Sequence, residues 1–316
     1  MKDDRAAGPG SAGRPTVGVV VIAYHRTEFL ERALRSVAGN LDRPDRVVVV
    51  EDNPPYDRTA DALVERLLPG VPHVCLNRRF EPVGGILVTG VEACPTDVVA
   101  VLEDDDLFLP EKVGLLRTRY AEHPEVGYLR HSFQSVDSEL ARIPLRRSIL
   151  AVPQGVVPPN PTAWAKARLG GNCSSISFRR APCLSNLGEL RELTATLDMG
   201  MFWLALRSDV VPFCESRVLT LKMIHLDSTT WKSFIYGRQR DSLQHLLSRS
   251  RPNSPEQQYA NAQLARLLPL PPDAGARSWP RDTGFRLLAL LQQRLPPRPA
   301  SWVRRGSLMV LLGFSW

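Results

Sequence analysis

Over the first hundred positions, short apolar runs rich in β-branched residues alternate with stretches of helical period. Val17 to Ala23 (VGVVVIA) is continuously apolar, as a strand covered on both faces requires. Thr27 then reads as an N-cap, and Phe29, Leu30, Ala33, Leu34 and Val37 share one helical face before Gly39. Val47 to Val50 predicts a second buried strand, running into the polar break Glu51-Asp52-Asn53-Pro54-Pro55. A helix is expected from Thr59 to Leu68, a strand from Val71 to Leu76, a helix from Ile86 to Ala93 and a fourth strand from Asp97 to Leu102. This βαβαβαβ order predicts an α/β fold with a mainly parallel sheet flanked by helices. Such sheets bind ligands beyond the carboxyl ends of their strands. Here those ends read Tyr24-His25-Arg26, Glu51-Asp52-Asn53 and Glu103-Asp104-Asp105-Asp106.

Past residue 125 the pattern loosens. Strands are expected over Val126–Arg130 and Arg217–Ile224, a helix over Leu197–Leu206, and an irregular proline-rich loop over 150–163. Polar helices follow at Ser233–Leu247, Glu256–Leu268, Gly284–Leu295 and Trp302–Leu312. The chain divides into a loose tail (1–15), an α/β domain (16–235) and a helical, basic C-terminal extension (236–316).

Charge adds to this division. The net charge is +7, yet residues 237–316 carry 12 Arg against four acids, so the other residues are close to neutral. A nucleic-acid-binding protein would carry its basic patch on the folded core, and none is expected here. Ser301 to Trp316 joins a basic pair, Arg304-Arg305, to an apolar end. That segment suits either packing on the α/β domain or peripheral contact with the inner leaflet of a membrane. The longest clean apolar run, Leu308 to Leu312, is far short of the roughly 20 residues of a spanning helix. No signal-peptide pattern is present, and the five scattered cysteines have no zinc spacing. Both features predict a cytoplasmic protein with reduced thiols in its core.

The candidate chemistry lies in the acidic run. Four adjacent carboxylates at a strand end repel one another unless a cation sits among them. Oxygen ligands select a hard ion, Mg²⁺ or Mn²⁺, and the alternative is a solvated turn. No GxGxxG or GxxxxGK[ST] follows any strand, which argues against a dinucleotide fold or a P-loop.

VLEDDDLFLPEKV resembles the metal-binding stretch of family 2 glycosyltransferases, which have the GT-A fold. Other landmarks come in the same order: VVVIAYHRTEFLERALRSV, VVVVEDNPPYD, GGNCSSISFRRA, TLDMGMFWLALRS and KMIHLDSTT. His25 stands where that family more often has Asn. The resemblance covers residues 16–235. It implies an inverting, metal-dependent transferase moving a sugar from a nucleotide-diphospho-sugar, with a UDP-sugar favoured, to an acceptor hydroxyl. A small molecule, a lipid-linked acceptor or a glycan would serve, and the Arg- and Pro-rich composition points to a bacterial source, with secondary-metabolite or cell-envelope synthesis as the expected setting.

The resemblance also implies roles. Asp198 is the general base, with a helix N-cap as its alternative. Ala23, Tyr24, His25, Asp52, Arg79 and Asp104 contact the nucleotide. Asp105, Asp106 and His225 hold Mn²⁺ or Mg²⁺. Arg79 could equally be a surface residue and His225 a structural one, while Phe202 and Trp203 are expected in the core. The competing functions are a non-catalytic nucleotide-sugar-binding relative and a sugar-phosphate nucleotidyltransferase. The latter needs a Gly-rich signature and a Lys after the first strand, and Tyr24-His25-Arg26-Thr27 lacks both.

Overall fold

A computed structural model describes residues 14–24, 26–52, 58–137, 139–141, 149–225 and 235–267. His25, Asn53 and the segments expected at Gly284–Leu295 and Trp302–Leu312 lie outside the described residues. In chain order the first elements are β1 (Val17–Ala23), α1 (Thr27–Ala38), β2 (Arg46–Glu51), α2 (Thr59–Leu67), β3 (His73–Asn77), α3 (Gly84–Glu92) and β4 (Val98–Glu103). Next come β5 (Leu107–Phe108), α4 (Lys112–Glu122), β6 (Val126–Val136), β7 (Ile149–Leu150), β8 (Gly155–Val156) and α5 (Pro161–Ala167). The rest are β9 (Ile176–Arg179), α6 (Arg180–Leu187), α7 (Leu197–Arg207), β10 (Val211–Met223), α8 (Ile235–Arg249) and α9 (Pro255–Leu267).

One sheet runs in the order β3-β2-β1-β4-β9-β6-β10-β5. The first four strands are parallel, as the alternation of strands and helices predicts. β9 then runs antiparallel between β4 and β6, and β10 is parallel to β6. The apolar runs alternate sides with the two-residue period of a strand. Val20, Ile22, Val48 and Val50 face a core shared with α3, α6 and α7, while Val19, Val21, Val47 and Val49 face α1, α2 and α4. Leu243 and Leu246 of α8 and Tyr259 and Ala260 of α9 belong to the first of these cores. Phe202 and Trp203 are fully buried, as expected. Among the described residues, no helix is long and apolar enough to cross a membrane.

Four expectations are corrected. Thr27 is the first helical residue rather than the cap: Arg26 holds the N-cap position and makes no side-chain cap bond. The 150–163 stretch is not wholly irregular. It contains β8 and the start of α5, where the Asn160 side chain caps the Ala163 N–H and Pro161 takes the first helical turn. The strand expected at Val126–Arg130 continues to Val136, and the one expected at Arg217 begins at Val211. Pairing between β6 and β10 with several register shifts sustains both strands over this length, which a search for short periodic runs does not detect.

Candidate functional site

The carboxyl ends of β1, β2 and β4 converge through their parallel pairing. Ala23 is opposite Glu51, and Ile22 is opposite Glu103. The main chain stitches these ends together: the Asp52 N–H donates to the Ala23 carbonyl at 3.0 Å, and the Asp104 N–H donates to the Ile22 carbonyl at 2.9 Å. Tyr24 donates its N–H to Asp104 Oδ2 at 3.0 Å, so Ala23, Tyr24 and Asp104 form one edge. Asp52 accepts from the Phe80 N–H at 3.2 Å, which ties the end of β2 to the loop after β3. Arg79, exposed on that loop, pairs with Glu81 at 2.7 Å.

The acidic run does not point one way. Asp104 and Asp106 are each 1% exposed, and burial pushes both carboxyls up to about 6. Asp105 is more open. Burial pushes its carboxyl up too, but the His225 hydrogen bond and the Arg26 guanidinium outweigh that and hold it below the usual range. Arg26 bonds both oxygens of Asp104 and reaches Asp105 at 3.2 Å. His225 Nε2 lies 2.8 Å from Asp105 Oδ2. A carboxylate oxygen only accepts, so Nε2 carries the hydrogen. Nδ1 is buried and, among the described residues, has no hydrogen-bond partner.

The donor set of the run is oxygen-rich, as a hard divalent cation requires, but here Asp104 and Asp105 are neutralised by the Arg26 guanidinium and Asp105 also by His225 Nε2, so an ion at Asp105 would take the place of these partners. Among the described residues, no three His, Cys, Asp or Glu side chains form a cage. An ion that takes most of its ligands from water and phosphate needs only one or two protein carboxylates.

Asp198 lies in the first turn of α7; Thr196 is the N-cap. Its Oδ2 accepts from the Asn172 N–H at 2.8 Å and its Oδ1 from the Met199 N–H at 2.9 Å. Burial raises its pKa, opposed by the Asn172 amide and the Lys222 ammonium. The Asn172 side chain in turn donates from Nδ2 to Asp106 Oδ2 at 3.0 Å, and Asp106 Oδ1 accepts from the Met223 N–H at 3.0 Å. A single residue therefore separates Asp198 from the acidic run.

Three residues here were not singled out from sequence. Arg26 stands in the quoted strand end Tyr24-His25-Arg26, so its position was visible although its partners were not. Lys222 opens the segment that contains His225. Burial pushes its ammonium down, but Asp106, Glu103, Asp198 and Asp105 outweigh that and hold it charged. Asn172 carried no charge or spacing signal, and only the fold brings it between two carboxylates.

Residues 18–166 match the family model described as "Glycosyl transferase family 2". No curated protein matches the chain in sequence. Among solved structures, residues 1–349 of TarS from S. aureus in complex with UDP are 15% identical, with a TM-score of 0.56. That alignment covers 90% of this chain and 76% of TarS 1–349. The mannosyltransferase PcManGT from Pyrobaculum calidifontis, in complex with GDP-Man and Mn²⁺, is 17% identical with a TM-score of 0.56. That alignment covers 98% of this chain and 84% of PcManGT. The strand order, the acidic strand end and the family match agree: the chain carries a family 2 glycosyltransferase domain with the GT-A fold.

Proposed function

We propose that this chain is an inverting, metal-dependent glycosyltransferase that takes its sugar from a nucleotide-diphospho-sugar. The observation that carries the reading is the juxtaposition of Asp198 with the acidic run: Asn172 hydrogen-bonds to both Asp198 and Asp106. Transfer to a hydroxyl needs a base on one side of the anomeric carbon and charge neutralisation on the other. Two solved structures of this fold contain a nucleotide sugar, UDP-GlcNAc with TarS and GDP-Man with PcManGT, which supports a donor of this class.

In this reading Asp198 takes the proton from the acceptor hydroxyl as its oxygen bonds to the anomeric carbon. The bond from that carbon to the diphosphate breaks on the opposite face, so the configuration inverts. Asp52, Ala23, Tyr24 and Asp104 line the nucleotide end, where a carboxylate accepts from base N–H groups or ribose hydroxyls. Arg79 stands at its rim. Asp105 and His225, with Asp106 behind them, would hold Mn²⁺ or Mg²⁺, which when bound neutralises charge on the departing diphosphate.

A thermal-shift screen of UDP-, GDP- and dTDP-sugars with and without Mn²⁺ tests the donor class. Stabilisation by one nucleotide only when metal is present supports the reading, and no response to any of them rejects it. Asp198→Asn is expected to reduce turnover by about 10²–10⁴ while donor binding persists. Unchanged turnover would remove Asp198 from the role of base.

A further inference from the structure

We propose that Asn172 is the positioning residue of this site. Its side chain sets Asp106 and its main chain sets Asp198, so the metal edge and the base keep one fixed spacing. The inference rests on the reading of the site given above and assigns to a residue outside the acidic run the task of aligning its two halves.

Asn172 has φ 62° and ψ 108°. A non-glycine residue holds such a conformation only where its surroundings over-determine it. Here they do. The Asn172 carbonyl accepts from the Ser175 hydroxyl at 2.8 Å and the Ser175 N–H at 3.1 Å. Arg130, fully buried, donates to the Gly171 carbonyl at 3.0 Å and the Ala167 carbonyl at 3.1 Å. The Tyr128 hydroxyl donates to the Leu169 carbonyl. Burying a guanidinium is costly, and this one hydrogen-bonds main-chain carbonyls on the approach to Asn172.

The turn is equally fixed on the side of the acidic strand. Ser174 Oγ accepts from the Glu103 N–H at 2.9 Å. The Ser174 carbonyl accepts from Lys112 Nζ at 2.6 Å and from the Thr220 hydroxyl at 2.8 Å. The orientation of the Asn172 amide is also determined. Asp106, when ionised, only accepts, so Nδ2 faces it. Oδ1 is then left buried with no partner among the described residues. An unsatisfied buried oxygen is destabilising, and a residue that only filled space would avoid it.

Asn172→Gly separates alignment from folding. Glycine adopts a positive φ at less cost than asparagine and keeps the N–H that Asp198 needs, but removes the bond to Asp106. The full-length wild type and the variant are compared by melting temperature without ligand, and then by titration of Mn²⁺ in the presence of UDP, GDP or dTDP. The expected result is a ligand-free melting temperature within about 3 °C of wild type. With it should come a Mn²⁺ midpoint at least about tenfold higher, the usual effect of losing the partner that orients a metal-side ligand. Asp198→Asn should keep the wild-type midpoint.

If wild type responds to Mn²⁺ and Asn172→Gly responds at the same concentration, the inference fails and the glycosyltransferase reading stands. If the variant instead melts well below wild type with an unchanged midpoint, the role of Asn172 is structural and the inference also fails. If wild type shows no metal-dependent response to any of the three nucleotides, the reading and the inference fall together.

Discussion

In the proposed mechanism Asp198 is the base, and Lys222 is the cation that acts on its proton affinity. Burial raises the Asp198 carboxyl, and the Asn172 amide and the Lys222 ammonium pull it back without cancelling the rise. A base is active when deprotonated, so turnover should fall as pH drops through this raised value. The acid limb of kcat is therefore expected above about 3.9, the value of an unperturbed aspartate. Lys222→Met removes a positive charge that favours the ionised form, so Asp198 should take up its proton at higher pH. Nucleoside diphosphate release, followed against pH at saturating metal, checks both statements. For Lys222→Met the limb should move to higher pH, and a limb that stays or moves down would show that Lys222 does not act on the base.

At the scale of elements, α3 is seated by one backbone approach. The Gly84 N–H donates to the Leu193 carbonyl at 2.7 Å, and a Cβ on Gly84 would lie 1.8 Å from the Leu190 carbonyl oxygen. A backbone oxygen cannot yield as a flexible side chain can. Gly84→Ala should therefore cost about 1–3 kcal/mol, the usual range for overpacking. Its neighbour is the control: a Cβ on Gly85 meets nothing nearer than Phe80 Cδ1 at 3.4 Å. Gly85→Ala should be near neutral, because the helix preference for alanine of about 1 kcal/mol offsets the contact. Denaturant unfolding of the two variants separates these outcomes.

The same contrast explains what could be read from the sequence. β1, β2 and β4 were legible because both faces of each are covered and their residues are uniformly apolar. α1 was legible because its inner face repeats at helical spacing. The antiparallel insertion of β9 between β4 and β6 was not legible, since strand order depends on long-range pairing that no local pattern encodes. Within the site, the acidic strand end and Asp198 stand out by charge and by position. Asn172 and Lys222 lie in quoted landmark segments, but their surroundings come from elements distant in sequence, so their roles were not legible locally.

At the scale of the molecule, α8 and α9 close the core over α7. Trp203 of α7, fully buried, donates from Nε1 to Ser250 Oγ at 2.9 Å. Glu256 in α9 has a fully buried side chain and pairs with Arg251 at 2.8 Å, with Arg207 of α7 at 3.6 Å. Burial pushes the Glu256 carboxyl up, but the Arg251 and Ser254 hydrogen bonds outweigh it, and the folded value lies below the ordinary one of 4.5. A carboxyl whose pKa is depressed on folding binds its proton more readily in the unfolded chain. Its stabilisation is therefore complete above about 4.5 and is lost as pH falls through the folded value. Glu256→Gln keeps the size and removes the charge. At pH 7 it should cost about 1–3 kcal/mol, the range for a hydrogen bond to a charged group, moderated because Arg251 is partly exposed and keeps Asp209. On acidification wild type should lose this advantage, and the gap between the two unfolding curves should narrow as pH falls below about 4.5. A constant gap from pH 7 to pH 3 would mean that packing of the side chain, not its charge, holds α9 against α7.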